Sequence, residues 1–258
     1  MNNCVVIGGK GMVGNSTMHT FGIKDCFDLR GSNITLKEVA ERKRFVFICT
    51  PTPTNQGEQQ GIEEMEALIK QIIEIGGGQK VFIIRSTVLP GACKRLMQNC
   101  GTEAIIHNPE FLTESSWELD SEHPDVIVLG GERTNYLEDV EALYKARFKG
   151  SVDIIKTDTL TSETIKYAVN CLYTTKVVFA NQLYDYCEKF NINYEDIKKV
   201  MYKRKWIGKN HLRIFDKENN RGAGGKCLGK DCDAFASRSG IELLRMVNKL
   251  NKIYTGEN

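Results

Sequence analysis

The chain has 258 residues and a formal net charge of +2, with 41% hydrophobic and 26% charged residues. These values are typical of a globular protein with a substantial core, and we expect neither a nucleic acid nor a membrane as a partner. No segment approaches the ~18 consecutive apolar residues of a membrane span, and the first apolar run is too short for a signal peptide.

The cysteines indicate the redox environment. There are nine of them, an odd number, and no two form a C-x-x-C pair. Several lie inside apolar runs, so we expect reduced, buried thiols and a cytoplasmic protein. The four histidines are scattered along the sequence, and we therefore expect no metal site.

The N-terminal part of the chain alternates short β-branched runs with segments of helical periodicity. This alternation predicts an α/β fold, with a Rossmann domain over residues 1–157 whose sheet is mostly parallel and covered by helices on both faces. The predicted strands span residues 3–9, 25–29, 45–50, 79–87, 103–109, 125–131 and 152–157, and the predicted helices include 12–21, 35–43, 62–76 and 134–148.

The pattern changes near Thr157. Neither proline nor glycine interrupts residues 159–190, which predicts a helix of ~48 Å at 1.5 Å per residue. Further helices are predicted over 194–203 and 231–254, with an irregular segment, 205–230, between them. We expect residues 158–258 to form a helical central and dimerisation domain.

The long predicted helix suggests a homodimer. Beyond Asn170 it carries Tyr173, Val177, Ala180 and Tyr184 at helical spacing, which is a larger apolar face than an isolated helix requires. Packing of this face on the chain's own C-terminal helices is the alternative.

A glycine-rich turn follows the first predicted strand, where Gly9, Gly11 and Gly14 form the pattern G-x-G-x-x-G. In a dinucleotide-binding fold these glycines allow a tight turn, close approach of a pyrophosphate and close packing of helix on strand. Asp28 ends the second predicted strand about 20 residues later, where a carboxylate accepts hydrogen bonds from ribose hydroxyls. We therefore predict NAD as the cofactor, although Arg30 would suit the extra phosphate of NADP.

Lys166 and Asn170 lie four residues apart, and so on one face of the long predicted helix, among apolar neighbours. A partly buried lysine beside an amide can donate to an oxyanion, whereas an exposed pair would be an ordinary solvated surface. Glu110 and Glu114 follow the carboxyl end of a predicted strand, where ligands gather in open α/β sheets. The alternative for these two acids is helix N-terminal charge.

Seven segments, in order, resemble motifs of the UDP-glucose/GDP-mannose dehydrogenase family, whose members are NAD-dependent nucleotide-sugar dehydrogenases. The resemblance covers most of the chain and implies a Rossmann domain, a long helix and a helical dimerisation region. The segments are GGKGMVG (8–14), FICTPTPT (47–54), RSTVLPG (85–91), HNPEFLTES (107–115), DSEHPDVIVLGG (120–131), SETIKYAVN (162–170) and GAGGKCLGKD (222–231).

The resemblance also implies residue roles. Cys227 is the nucleophile: it adds to an aldehyde formed from the C6 alcohol of the sugar, and oxidation then gives a thioester that water hydrolyses. Lys166 and Asn170 stabilise the oxyanion, Asp231 with Lys166 holds a water that takes the alcohol proton, and Glu110 is the base in hydrolysis. The implied cofactor contacts are Gly9, Gly11, Met12, Val13, Gly14, Asp28, Thr52, Thr87, Glu114 and Lys230, and the implied substrate contacts are Leu112, Arg204, Lys205, Gly222, Gly224 and Gly225.

The sequence departs from the family's pattern in three places. The family continues into a second Rossmann-like domain that holds the nucleotide, whereas this chain stops after the helix following the cysteine motif. Gly229 stands where a proline or polar residue is common. An Arg-Ile-Gly triplet of the family appears as Trp206-Ile-Gly, within a run of seven Lys and Arg and no acid over 198–213. We expect this run to replace part of the nucleotide site, the alternative being a solvated basic helix end.

Three functions fit these residues. The leading hypothesis is an NAD-dependent nucleotide-sugar 6-dehydrogenase that oxidises UDP-glucose or a related nucleotide sugar to the uronic acid. A two-electron β-hydroxyacid dehydrogenase would share the fold and the Lys-x-x-x-Asn pair but would not need Cys227. A non-catalytic NAD-binding subunit would need a partner chain to complete it.

Overall fold

A computed structural model of the chain describes residues 2–55, 58–59, 61–76, 79–225 and 227–257. It divides into two compact units, the first comprising Met1–Pro53 and Gln59–Lys166 and the second Thr54–Glu58 and Tyr167–Asn258. The domain boundary predicted from the sequence lies between residues 157 and 158. The units instead divide within the long helix, because its first two turns pack on the first unit.

The predicted elements are present except for the single C-terminal helix, most of them with slightly shorter bounds. The strands are β1 (Cys4–Ile7), β2 (Cys26–Phe27), β3 (Phe45–Ile48), β4 (Thr54–Asn55), β5 (Glu58–Gln59), β6 (Val81–Ile84), β7 (Ile105–His107), β8 (Val126–Gly130) and β9 (Asp153–Thr157). The helices are α1 (Met12–Phe21), α2 (Leu36–Arg42), α3 (Ile62–Gly76), α4 (Ala92–Cys100), α5 (Trp117–Glu122), α6 (Thr134–Phe148), α7 (Thr159–Lys189), α8 (Tyr194–Lys203), α9 (Leu228–Ser239) and α10 (Glu242–Thr255).

Seven strands of the first unit form one sheet in the order β2-β1-β3-β6-β7-β8-β9, while β4 and β5 form a separate pair. The described pairings in the large sheet are parallel except that of β7 with β8, where His107 faces Gly130. The α/β class and the mostly parallel sheet are therefore confirmed. A parallel sheet buries both faces, and this explains why its central strands are apolar runs without alternation.

Successive residues of β1 point to opposite faces and so enter two different cores. Val5 and Ile7 pack with apolar residues of α2, α3 and α4, whereas Cys4 and Val6 pack with residues of α1 and α6. The sheet is thus covered on both sides, which leaves the carboxyl ends of its strands as the edge where loops carry polar side chains.

The predicted C-terminal helix over residues 231–254 is wrong. The structure has two helices there, α9 and α10, separated by Gly240, whose φ of 71° lies in the left-handed region that ends helices. The break allows apolar residues of α10, Leu244 and Val247, to pack against Cys232 and Ala236 of α9. Burial of these side chains favours the fold-back over one continuous helix.

The apolar face of α7 that the sequence assigned to a dimer packs within the second unit. Val177 and Ala180 are buried, and Ala180 belongs to a core that includes Leu212 and Ile214. Tyr173 stacks on His211, with ring centroids 4.1 Å apart, and Tyr184 meets Tyr194 edge-on at 5.7 Å. The face is thus covered by residues of the same chain, but these residues lie in α8 and in the irregular segment after it and not in the C-terminal helices that the alternative named.

Within the described residues, no helix combines the length and the apolar character needed to cross a membrane.

Candidate active site

The glycine turn after β1 is shaped by close backbone contacts. Gly8 has a φ of +79°, and a Cβ there would lie 2.6 Å from the Cys49 carbonyl oxygen. A Cβ on Gly14 would overlap the Gly8 carbonyl oxygen and lie 2.6 Å from the Gly9 Cα, so Gly14 permits the close approach of α1 to β1. The left-handed residue is thus Gly8, one position before the Gly9 that the motif suggested.

The N-terminus of α1 is suited to a phosphate group. Its N-cap residue, Gly11, makes no side-chain capping bond, and the amides of the first turn, beginning with Met12 and Val13, carry the positive end of the helix dipole. A cleft of about 280 Å³ lies beside this turn. Its lining residues are Lys10, Gly11, Met12, Asn15, Glu114 and Trp117.

Asp28 is held in place by its neighbours in the loop after β2. One carboxylate oxygen accepts from the Lys10 amide at 2.9 Å, and the other accepts from the Arg30 amide at 2.9 Å and its Nε at 3.3 Å. Burial opposes ionisation, but the two amides and the guanidinium outweigh it and hold the pKa of Asp28 below its usual range. Arg30 therefore forms an ion pair with Asp28. A second cavity, of about 460 Å³, is lined in part by the adjacent Phe27.

Two further predicted cofactor contacts meet at the ends of β3 and β6. The Thr52 hydroxyl donates to the Thr87 carbonyl oxygen at 2.6 Å, which joins the loops that follow these neighbouring strands. The first unit thus brings the predicted cofactor residues to the carboxyl edge of its sheet, where dinucleotides bind in open α/β folds.

Lys166 and Glu110 form a buried ion pair, with exposures of 4% and 7%. The Lys166 ammonium is 3.0 Å from the Glu110 carboxylate and 2.5 Å from its carbonyl oxygen, and the Leu112 amide donates to the same carboxylate at 2.7 Å. Burial alone would raise the pKa of Glu110, but Lys166 and the Leu112 amide reverse this effect and lower it. Glu110 is therefore an ionised carboxylate, as a base must be.

The residues just before Lys166 fix the start of α7. Glu163 is fully buried and accepts from the amides of Gly91 and Cys93 at 2.5 and 2.7 Å, so it caps the N-terminus of α4. Ser162 contacts His107 Nδ1 at 2.8 Å. Burial, with Lys166 and Arg85 nearby, lowers the pKa of His107 to about 3 and keeps its ring neutral. Sequence patterns do not reveal this role of Glu163, because a cap on a distant helix leaves no local pattern.

In the second unit, Asp231 is the centre of a polar cluster. It is 1% exposed, and its two carboxylate oxygens accept from Asn170 Nδ2 at 2.7 Å and from Lys230 Nζ at 2.6 Å. This arrangement satisfies a buried charge with a cation and an amide, as burial requires. Lys230, which the family resemblance assigned to the cofactor, lies against Asp231.

Cys227 is the N-cap residue of α9, and its carbonyl oxygen accepts from the Asp231 amide at 2.8 Å. Its side chain is exposed, whereas seven of the other eight cysteines are buried and Cys100 is half-buried. A Cβ added to Gly224 or Gly225, in the loop before Cys227, would meet no atom within 4 Å. The structure thus presents one accessible thiol beside an open stretch of backbone, at a helix N-terminus that favours the thiolate.

The predicted substrate cations are not built into a pocket. Residues 203–210, which include Arg204 and Lys205, are exposed, and Lys205 lies 5.5 Å from the ring centroid of Trp206, itself 88% exposed. Of the predicted catalytic residues, Lys166 and Glu110 lie together in the first unit, and Asn170, Asp231 and Cys227 belong to the second. Helix α7 carries both Lys166 and Asn170, one turn apart.

The ion pair predicts a pH-dependent cost for losing one partner. We expect Lys166→Met to lower the free energy of unfolding by about 3 kcal/mol at pH 7, because it leaves the Glu110 carboxylate buried without its cation. Without Lys166, burial raises the pKa of Glu110 above its unfolded value, so the deficit relative to the native protein shrinks as the pH falls and Glu110 becomes protonated. Urea denaturation at pH 5 and pH 7 measures both effects.

The control is the double variant Lys166→Met/Glu110→Gln, which removes both charges and keeps an acceptor for the Leu112 amide. It should recover most of the lost stability at pH 7. A double variant no more stable than the single one would show that packing, and not charge, is what Lys166 supplies.

Sequence profiles of one family match both units. The profile for the UDP-glucose/GDP-mannose dehydrogenase family, NAD binding domain, matches residues 23–148, and the profile for the family's central domain matches residues 160–253. The UDP-glucose 6-dehydrogenase of Rickettsia felis is 30% identical over 233 aligned residues, which cover 87% of this chain and 51% of that protein. The chain therefore spans about half the length of the curated relatives it matches.

Two solved structures show the fold. A UDP-glucose dehydrogenase from Pyrobaculum islandicum matches with a TM-score of 0.80 at 20% identity, over 98% of this chain and 68% of that one. A 3-hydroxyisobutyrate dehydrogenase from Mycobacterium tuberculosis matches with a TM-score of 0.73 at 12% identity, over 100% of this chain and 95% of that one. At such identities the likeness concerns the fold alone.

The sequence matches decide the family. Both profiles come from one family, and they match in order along most of the chain. The match to the NAD-binding domain also confirms the predicted cofactor, NAD. The chain belongs to the UDP-glucose/GDP-mannose dehydrogenase family.

Proposed function

We propose that the chain is an NAD-dependent nucleotide-sugar 6-dehydrogenase that oxidises the C6 alcohol of UDP-glucose, or of a related nucleotide sugar, to a carboxylate. The observation that carries this proposal is the exposed Cys227 at the N-terminus of α9, one helical turn from the buried Asp231. A nucleophilic thiol has a purpose in a four-electron oxidation and none in a simple alcohol oxidation.

The first step converts the alcohol to an aldehyde. NAD, when bound, accepts one hydride in each of the two oxidations. The proton of the alcohol passes to a water held by Asp231 and Lys166 and then to solvent. Asn170 and Lys166 donate to the oxygen while it carries negative charge. The support for a shared task is that Lys166 and Asn170 occupy one face of the same helix.

The second step passes through Cys227. Its thiolate adds to the aldehyde carbon, which forms a C–S bond, and the oxygen gains a proton to give a thiohemiacetal. Loss of the second hydride to the cofactor and of that proton to water gives a thioester. Water then adds, its proton goes to Glu110, and the C–S bond breaks to return the thiolate. Glu110 suits this role because its lowered pKa keeps it ionised and ready to accept a proton.

The number of NADH molecules formed per substrate tests the proposal. We expect two per UDP-glucose, together with the uronic acid. Cys227→Ser should abolish acid formation and leave the affinity for NAD unchanged, since a hydroxyl at this position is a far weaker nucleophile and the predicted cofactor contacts lie mainly in the first unit.

Other outcomes favour the other functions. One NADH per substrate, on a β-hydroxyacid and not on a nucleotide sugar, would support the two-electron dehydrogenase, whose fold the Mycobacterium tuberculosis structure shares. NAD binding without turnover on any sugar nucleotide would support a subunit that needs a partner chain.

We also propose that Lys203, Arg204 and Lys205, within the basic run, contribute to binding the nucleotide. Lys203, Arg204 and Lys205 are exposed, and the turn that presents Trp206 is held by a bond from Lys176 Nζ to the Ile207 carbonyl oxygen at 3.1 Å. Paired cations suit a diphosphate, and an exposed indole offers a stacking surface to a base.

Replacement of Lys203, Arg204 and Lys205 by alanine should raise KM for the sugar nucleotide at least ~10-fold, the equivalent of one charge-assisted contact. The affinity for NAD should not change. Lys199→Ala is the control, because Lys199 is exposed on the same helix but pairs with Asp196 at 2.9 Å. An unchanged KM in the triple variant would show that these three cations are only solvated and do not bind the nucleotide.

The proposed homodimer needs a different face of α7 from the one that the sequence suggested. Leu172, Phe179 and Tyr186, at every seventh residue, are 60%, 54% and 54% exposed and form an apolar stripe. Light scattering at micromolar concentration should give a dimer for the native chain and a monomer for Phe179→Lys. A monomeric native chain would refute this proposal.

We propose that the protein is cytoplasmic. The support is that the described residues include all nine cysteines and that no two of them are joined by a disulfide, as in a reducing compartment.

A further inference from the structure

Asn251, on α10, binds one backbone residue with both ends of its side chain. Its Oδ1 accepts from the Ala223 amide at 2.7 Å, and its Nδ2 donates to the Ala223 carbonyl oxygen at 3.1 Å. Asn251 is 2% exposed and Ala223 is 4% exposed, so neither group of Ala223 is left to water. The side-chain amide thus makes the pair of hydrogen bonds that a residue of a neighbouring β-strand would make, and it fixes the peptides on both sides of Ala223.

Two glycines bring α9 and α10 against the same residue. A Cβ on Gly222, whose φ is +80°, would lie 2.9 Å from Thr255 Cγ2 and 3.0 Å from Tyr254 Cβ. A Cβ on Gly229 would lie 2.9 Å from the Ala223 carbonyl oxygen, the atom that accepts from Asn251. This contact gives a physical reason for glycine at position 229, because a larger residue would push the first turn of α9 away from the loop.

Arg221 anchors the start of the loop. Its Nε donates to Asn181 Oδ1 at 2.9 Å, and its guanidinium pairs with Asp185 at 2.7 Å and lies 4.7 Å from the ring centroid of Tyr254. Beyond the buried Ala223 the backbone becomes exposed at Gly224 and Gly225. The loop is therefore held by hydrogen bonds as far as Ala223 and is exposed at the two glycines that follow.

We propose that Asn251 is a positioning residue for Cys227. It fixes Ala223, whose carbonyl oxygen lies against Gly229 in the first turn of α9, and so holds Cys227 at the N-terminus of that helix, where the helix dipole favours a thiolate. Asn251 touches neither the sulfur nor a reacting atom; its effect passes through the backbone. The inference rests on the proposed function only in taking Cys227 as the nucleophile.

The test measures the alkylation of Cys227 by iodoacetamide, followed on its peptide by mass spectrometry. Asn251→Ala should slow alkylation at pH 7 about 3-fold or more, as expected when a thiol leaves a helix N-terminus. In Asn251→Asp the alkylation rate should lie between those of the native chain and of Asn251→Ala, because aspartate keeps the acceptor for the Ala223 amide and loses the donor. In turnover, Asn251→Ala should lower kcat at least ~10-fold and leave KM for NAD unchanged.

Asn248→Ala is the matched control, since it removes one bond from α10 to α9, that of Asn248 Nδ2 to Asp233 at 2.8 Å. In this control, Cys227 should be alkylated at the native rate. If Asn251→Ala has the thermal stability of this control and still reacts at the native rate, the inference is overturned, whatever the activity. Slowed alkylation in the variant, with no turnover by the native chain, would uphold the inference and reject only the proposed function.

Discussion

The buried ion pair of Lys166 and Glu110 is the interaction on which the geometry of the candidate site in the first unit depends. Each charge is costly to bury alone, and together they oblige the loop after β7 and the start of α7 to meet at one place. Glu163 and Ser162 add hydrogen bonds one turn earlier, to the N-terminus of α4 and to His107. The helix is therefore fixed in rotation and in register, and with it the direction of Lys166.

The second unit presents an exposed thiol on a loop that is rich in glycine. Under the proposed function the glycines leave room for a sugar, but they also make the loop costly to order. Asn251 and Arg221 offset this cost with hydrogen bonds to backbone and side chains at the loop's beginning. Asp231, one helical turn after the exposed Cys227, is buried and has its own partners, so exposed and buried residues lie close together in sequence.

Much of this could be predicted from sequence, because the signals are local. The glycine turn, the apolar strands and the uninterrupted length of α7 each follow from short-range sterics and periodicity. Periodicity says which residues of a helix share a face but not what covers that face. The apolar face that includes Ala180 was therefore assigned to a second chain, whereas Leu212 and Ile214, in an irregular segment, pack with Ala180.

The polar anchors could not be predicted for a related reason. Glu163 and Asn251 are polar residues within helices, and such residues are usually solvated. Their partners, the amides of Gly91 and Cys93 and the backbone of Ala223, are distant in sequence and have no side-chain signature. Only the packed structure shows that these side chains are buried and that their bonds complete a helix end and a loop.

The central claim is that oxidation proceeds through a covalent bond to Cys227, and trapping that bond tests it most directly. The chain is mixed with UDP-glucose and NAD, quenched with acid within one turnover, digested and examined by mass spectrometry. The account predicts a sugar-nucleotide thioester on the peptide that contains Cys227, absent when NAD is omitted. Formation of NADH and uronic acid with no adduct on that peptide at any quench time would contradict it.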